Sequence, residues 1–176
     1  MTDFSNSLIL IGMPGAGKST IGLLLAKMLV KDFVDTDILI QNREGKALQE
    51  IIYEHDYLKL REIEEQVLLG ADYPNHVIAT GGSAVYSDAG MRRLKRFGPA
   101  VFLDVPEAEL QARINNFGSR GVACKPGQSF SELLAERRPL YQRYADITIN
   151  CRDKPPEQIL GEIIAAEADT YADMDA

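Results

Sequence analysis

Short apolar runs punctuate the chain at wide intervals. Leu8-Ile9-Leu10-Ile11 is unbroken, rich in β-branched residues and ended by Gly12, which predicts a buried strand. Phe33-Val34, Val77-Ile78-Ala79, Val101-Phe102-Leu103 and Ile147-Thr148-Ile149 are further strand candidates. The segments between them are long enough for one or more helices. Such alternation predicts an α/β chain with a parallel sheet covered on both faces. After Gly12 to Thr20 the apolar positions switch to helical spacing, at Ile21, Leu24, Leu25, Met28 and Leu29, so the first unit reads strand, glycine-rich loop, helix.

Local signals mark other helices. Pro106 suits the first helical position, where no N–H is needed. Ser129 with Glu132 predicts a capping box ahead of Leu133 and Leu134, and Pro155-Pro156 precede a terminal helix carrying Ile159, Leu160, Ile163 and Ile164. Between Asn115 and Gln128 the periodicity fails, and Gly118, Gly121, Pro126 and Gly127 predict a mobile loop. The acidic, small residues from Glu167 to Ala176 predict a frayed tail.

Composition narrows the class. At roughly 100 to 200 residues per domain, 176 residues make one domain. With 45% hydrophobic and 26% charged residues the chain can bury a core and is neither disordered nor fibrous. A net charge of −7 disfavours nucleic acid as a partner, because such binding needs a broad basic surface. Cys124 and Cys151, with His55 and His76, form no metal-ligand or disulfide spacing, which suits a reducing cytoplasm. No apolar run approaches a membrane span, and no basic leader precedes an apolar one. A soluble, cytoplasmic monomer without nucleic-acid or membrane partners is expected.

The chemistry starts at Gly12-Met13-Pro14-Gly15-Ala16-Gly17-Lys18-Ser19-Thr20, which satisfies G-x-x-x-x-G-K-[ST] between a predicted strand and helix. Its glycines let backbone N–H groups converge on a phosphate chain, the helix start adds a positive dipole end, and Lys18 adds a charge. Ser19 is the expected Mg²⁺ ligand. Asp35-Thr36-Asp37 follows the second strand, where residues face a ligand crevice. One carboxylate could hold Mg²⁺ through water and the other could act on an acceptor hydroxyl, or an Asp could simply cap a helix beginning near Ile38. In Leu60-Arg61-Glu62-Ile63-Glu64, Glu64 could hold the Arg61 guanidinium while Arg61 grips a carboxylate, or the two could be a solvated pair. Thr80-Gly81-Gly82-Ser83 allows close approach of backbone to an anion, or makes an ordinary turn. Arg137-Arg138-Pro139-Leu140-Tyr141 offers basic groups after the loop, or a helix surface.

In order, GMPGAGKST, FVDTD, LREIE, TGG and ERRPLY resemble the shikimate kinases, small P-loop kinases related to adenylate and gluconate kinases, over about Leu8 to Ala165. The resemblance implies a five-stranded parallel sheet flanked by helices with a mobile lid near 115–128, ATP and Mg²⁺, and transfer of the γ-phosphoryl group to the 3-hydroxyl of shikimate, a step of aromatic amino-acid biosynthesis. By position it puts Gly12, Gly15, Ala16, Gly17, Lys18, Ser19 and Thr20 around the phosphates, Ser19 and Asp35 at the metal, and Asp37 at the acceptor hydroxyls as base. It further implies that Arg61 and Arg137 hold the carboxylate, that Gly81 and Gly82 line the acceptor pocket, and that Arg120 swings from the lid onto the transferring phosphate. Arg113 and Arg152 fall near positions that flank adenine.

Three segments depart from the family pattern: Ser83 stands for a third glycine, Leu60 for phenylalanine, and Arg120-Gly121-Val122-Ala123 for Arg-Pro-Leu-Leu. All touch the acceptor pocket or its lid. A same-fold kinase for another small hydroxy carboxylate, such as homoserine, is therefore the main alternative. A nucleotide-binding module without transfer is the other.

Overall fold

The computed structural model describes residues 6–114 and 121–172. Five strands, β1 (Leu8–Ile11), β2 (Asp32–Asp35), β3 (His76–Ala79), β4 (Ala100–Asp104) and β5 (Ile147–Asn150), form one sheet in the order β2-β3-β1-β4-β5. Every pairing is parallel, with Leu10 opposite Ala79 on one side and Val101 on the other. The central strands are buried on both faces, hence their unbroken apolar runs, whereas edge strand β5 alternates buried and exposed residues.

Eight helices cover the sheet among the described residues: α1 (Lys18–Leu29), α2 (Thr36–Glu44), α3 (Leu48–Glu54), α4 (Tyr57–Leu69), α5 (Asp88–Lys95), α6 (Glu107–Arg113), α7 (Phe130–Tyr144) and α8 (Pro156–Ala172). The main core joins β1, β3 and β4 to α1, α5, α7 and α8. A second, smaller cluster lies apart, where Ile40 of α2, Ile51 of α3, and Leu60 and Ile63 of α4 close around Ala123 of the loop before α7. No described helix is long and apolar enough to cross a membrane.

Several expectations change in detail. The helix after Asp35 begins at Thr36, not near Ile38, because the Asp35 carboxylate accepts the Asp37 N–H at 2.9 Å and caps it. Pro106 is the N-cap of α6, one position before the helix. Of the apolar positions in α1, Leu25 is buried but Leu24 and Met28 face solvent, because Gly22 and Ala26 let the helix lie close on β2 and β3 along the opposite stripe. The chain does not fray at Glu167: α8 runs on to Ala172, and Glu167 is buried in an ion pair with Lys31 at 3.5 Å. The capping box at Ser129 is present, with the Glu132 N–H donating to Ser129 Oγ at 3.1 Å and the Ser129 N–H to Glu132 at 2.8 Å. Arg120 and the first half of the expected lid, 115–120, lie outside the described residues.

Candidate active site

The carboxyl ends of β1, β2 and β3 open on one cleft of about 330 Å³. Adjacent strands whose connections leave in opposite directions place loops around such a crevice. The first of these loops is the glycine-rich one. Gly15 and Gly17 take φ of +83° and +92°, values that curl the backbone tightly and that a side chain would resist. Lys18 opens α1 and is buried, its Nζ donating to the carbonyls of Gly12 at 2.7 Å and Met13 at 2.9 Å. Burial pulls its pKa down to about 8, the Arg137 charge adds to this, and Asp37 and Asp35 oppose it. Ser19 and Thr20 line the cleft, and Ser19 Oγ donates to the Asp35 carboxylate. Asp35 thus caps α2 with one oxygen and meets the P-loop serine with the other. The capping reading of that residue therefore holds. Arg113 also lines the cleft, with a donor 3.3 Å from the Gly15 carbonyl and an ion pair to Glu109 at 3.4 Å.

The other side of the cleft is built from α2, α4, α7 and the loop after β3. Asp37 on α2 faces the cleft, and Arg137, only 1% exposed, enters it from α7. Gly81 and Gly82 are required by close approach. A Cβ on Gly81 would fall 2.4 Å from Glu64 Oε1 and 2.7 Å from Asp37 Oδ1; one on Gly82 would fall 2.7 Å from Pro14 and 2.9 Å from Arg137. Tyr141 holds this turn, donating to the Gly82 carbonyl at 2.6 Å while stacking on Phe102. Ile40, Leu48, Leu60, Val122 and Ala123 form the apolar wall.

Arg61 and Glu64 do not pair. Three residues apart on α4, they diverge: Arg61 forms an ion pair with Glu136 at 3.8 Å, whereas Glu64 turns inward, 2% exposed, and accepts the Ser83 hydroxyl. Arg61 lines an adjoining cavity between α4 and the turn after β3 instead of the main cleft. It still reaches the Ala123 carbonyl at 3.4 Å, the oxygen to which Arg137 donates at 2.7 Å. The Glu64 pKa is pushed up to about 7, first by burial and then by the Asp37 carboxylate. Its Oε1 is buried without a hydrogen-bond partner.

Gly12, Ala16 and Gly81 are not among the lining residues, and neither is Arg152, which sits on an exposed turn after β5. Reading the sequence missed Tyr86 and Glu136, which carry the arginines, and the wall residues Ile40 and Leu48. Tyr86 follows the glycine pair closely enough that its place beside the cleft was legible, but nothing local marks its partners. Among the described residues no cluster of three His, Cys, Asp or Glu side chains could hold a metal. The Ser19–Asp35 oxygen pair nonetheless fits Mg²⁺, which binds few protein ligands and takes the rest from phosphate and water.

Comparison with known proteins agrees with this geometry. The family model for shikimate kinase matches residues 14–167. A shikimate kinase of Rhodococcus erythropolis is 36% identical over 160 residues, covering 89% of this chain and 94% of that protein. Among solved structures, shikimate kinase from Acinetobacter baumannii in complex with shikimate superposes with a TM-score of 0.83 at 28% identity, covering 93% of each chain. The enzyme from Aquifex aeolicus superposes at 0.76 with 31% identity, over 94% of this chain and 98% of that one. With its sheet order, P-loop and acceptor groups on one cleft and a family match over most of its length, this chain belongs to the shikimate kinase family.

Proposed function

We propose that this protein transfers the γ-phosphoryl group of ATP to the 3-hydroxyl of shikimate. The observation that carries the reading is the convergence of Lys18, Asp37 and Arg137 on one cleft, beneath a wall of apolar side chains. Phosphoryl transfer asks little covalent chemistry of a protein; it needs two anions held in line and their charge offset. The P-loop amides and Lys18 take the phosphate chain. Arg137, with Arg61 beside it, takes the carboxylate of the acceptor, as charge-assisted guanidinium contacts do best.

Asp37 then receives the proton of the attacking hydroxyl. Glu64, facing Asp37 across Gly81, keeps its proton more readily than a free carboxyl because of its burial and the Asp37 charge. A neighbour that holds its own proton leaves Asp37 as the carboxylate free to act as base. Ser19 and Asp35 would hold Mg²⁺, which when bound supplies charge neutralisation on the phosphate oxygens. The wall of Ile40, Leu60 and Ala123 excludes water that would otherwise compete for the phosphoryl group.

The test is ADP release from Mg·ATP with shikimate, homoserine and gluconate in parallel. Release with shikimate alone is the expected result. Release with homoserine but not shikimate overturns the acceptor, and release with none overturns transfer itself.

A further inference from the structure

We propose that Tyr86 is the positioning residue for the two arginines of the acceptor site; the inference rests on the functional reading above, since it concerns how those arginines are made ready for a carboxylate. Tyr86 ends a short 3₁₀ turn, Ala84–Tyr86, that leaves the glycine pair after β3. The Arg61 guanidinium lies 3.5 Å from the centroid of its ring, and that of Arg137 lies 5.4 Å from it. The Tyr86 hydroxyl donates to Glu136 and accepts from Arg137 Nε at 3.4 Å. One side chain therefore touches both cations and the carboxylate that accompanies them.

Arg61 has few other restraints. Its Nε is buried without a hydrogen-bond partner, its ion pair with Glu136 is 3.8 Å long, and its reach to the Ala123 carbonyl is 3.4 Å. Tyr57 lies farther off than Tyr86, at 5.0 Å. The ring face of Tyr86 is what sets the plane of the guanidinium. Stacking occupies the face of a guanidinium and leaves its edge donors open for an anion. Glu136 could itself satisfy Arg61 and so compete with a bound carboxylate. It pairs with Arg61 only at 3.8 Å, its oxygens being shared with Tyr86, with Gln128 at 2.9 Å and with Lys125 at 3.7 Å. Burial, then the bond to Glu136, raises the Tyr86 pKa, so the hydroxyl stays a donor across the neutral range. The result is two like charges set side by side, their edges converging on the single Ala123 carbonyl oxygen.

Two variants and two readouts test this. Tyr86→Leu removes face and hydroxyl; Tyr86→Phe keeps the face. In steady-state kinetics Tyr86→Leu is expected to raise the KM for shikimate about tenfold, the size of a partly desolvated cation–π contact, with the KM for ATP within about twofold. Tyr86→Phe is expected to raise it about threefold. An unchanged shikimate KM in Tyr86→Leu, or equal rises in both KM values, overturns the proposal. The second readout is ¹⁵Nε NMR of the arginines in the ligand-free chain, where Tyr86→Leu is expected to shift the Arg61 and Arg137 resonances and Tyr86→Phe mainly that of Arg137. Unmoved resonances overturn the proposal without reference to any acceptor. If the wild-type chain fails to phosphorylate shikimate, the functional reading falls while the NMR result still decides the role of Tyr86. Should Tyr86→Leu not fold, an unshifted Arg137 resonance in Tyr86→Phe is the overturning result.

Discussion

The nucleotide half and the acceptor half of the cleft are built on different principles. The phosphate cradle is a local object: Gly12 to Thr20 is one continuous segment running from the end of β1 into the first turn of α1, seated on the larger core with Leu8 to Ile11 fully buried beneath it. What it offers a phosphate is mostly backbone N–H groups and the helix start. The acceptor half takes single side chains from α2, α4, α7 and two loops, and rests on a small cluster around Ile51 and Ala123. A site made of backbone tolerates drift elsewhere in the chain. A site assembled from distant side chains changes whenever one supporting element is retuned, and the family departures at Leu60, Ser83 and Gly121 to Ala123 all fall on that side.

Substitutions on each side should separate the two halves. The largest effect is expected from Asp37→Asn, which removes the proposed base and should lower turnover by about 10³-fold in a coupled ADP assay, with nucleotide affinity by equilibrium titration nearly unchanged. Equal loss of nucleotide binding would merge the halves. Arg137→Gln should raise the KM for the acceptor by about 10- to 100-fold, as loss of a charged hydrogen bond does, and leave the KM for ATP within about threefold.

Stability probes the same contrast. Leu10→Ala should cost about 4 kcal/mol in urea denaturation and Ile51→Ala about 2 kcal/mol, because the smaller cluster collapses more readily around a cavity. Only the second should also weaken acceptor binding.

A pH effect is smaller. In the folded chain Glu64 keeps its proton up to about pH 7, against an ordinary value of 4.5. Between those values the folded state binds the extra proton, so this residue makes stability fall as pH rises through the window. Glu64→Gln should remove that component, seen as a flatter difference between urea midpoints at pH 5 and pH 7.5. The smallest effect belongs to Ser83→Gly: losing the hydroxyl donor raises the Glu64 pKa further, and acceptor KM should move by less than about fivefold.

Legibility in the sequence follows the same division. The strands were readable because buried parallel strands need unbroken apolar runs, and the P-loop because its residues are adjacent and its spacing is constrained. Asp35 and Asp37 were placed at a strand end, but which oxygen capped α2 and which met Ser19 depended on where α1 and β2 came together. Arg61 and Glu64 mark the limit. Helical spacing puts them on neighbouring turns and suggests a pair, yet Ser83 on one side and Tyr86 and Glu136 on the other draw them apart. The acidic tail misled for a similar reason. Composition suggested fraying, and only the partner Lys31, from a turn far away in the chain, explains a buried Glu167.

The sequence alone determined the α/β class and the glycine-rich loop between strand and helix, since these rest on periodicity and on adjacent residues. Tertiary structure alone decided that Glu64 turns inward beside Asp37, that Arg61 and Arg137 converge through Tyr86, and that Ala123 closes a second core. Those outcomes depend on contacts between elements far apart in the chain, where the energy of burial and charge pairing is settled only when the elements meet.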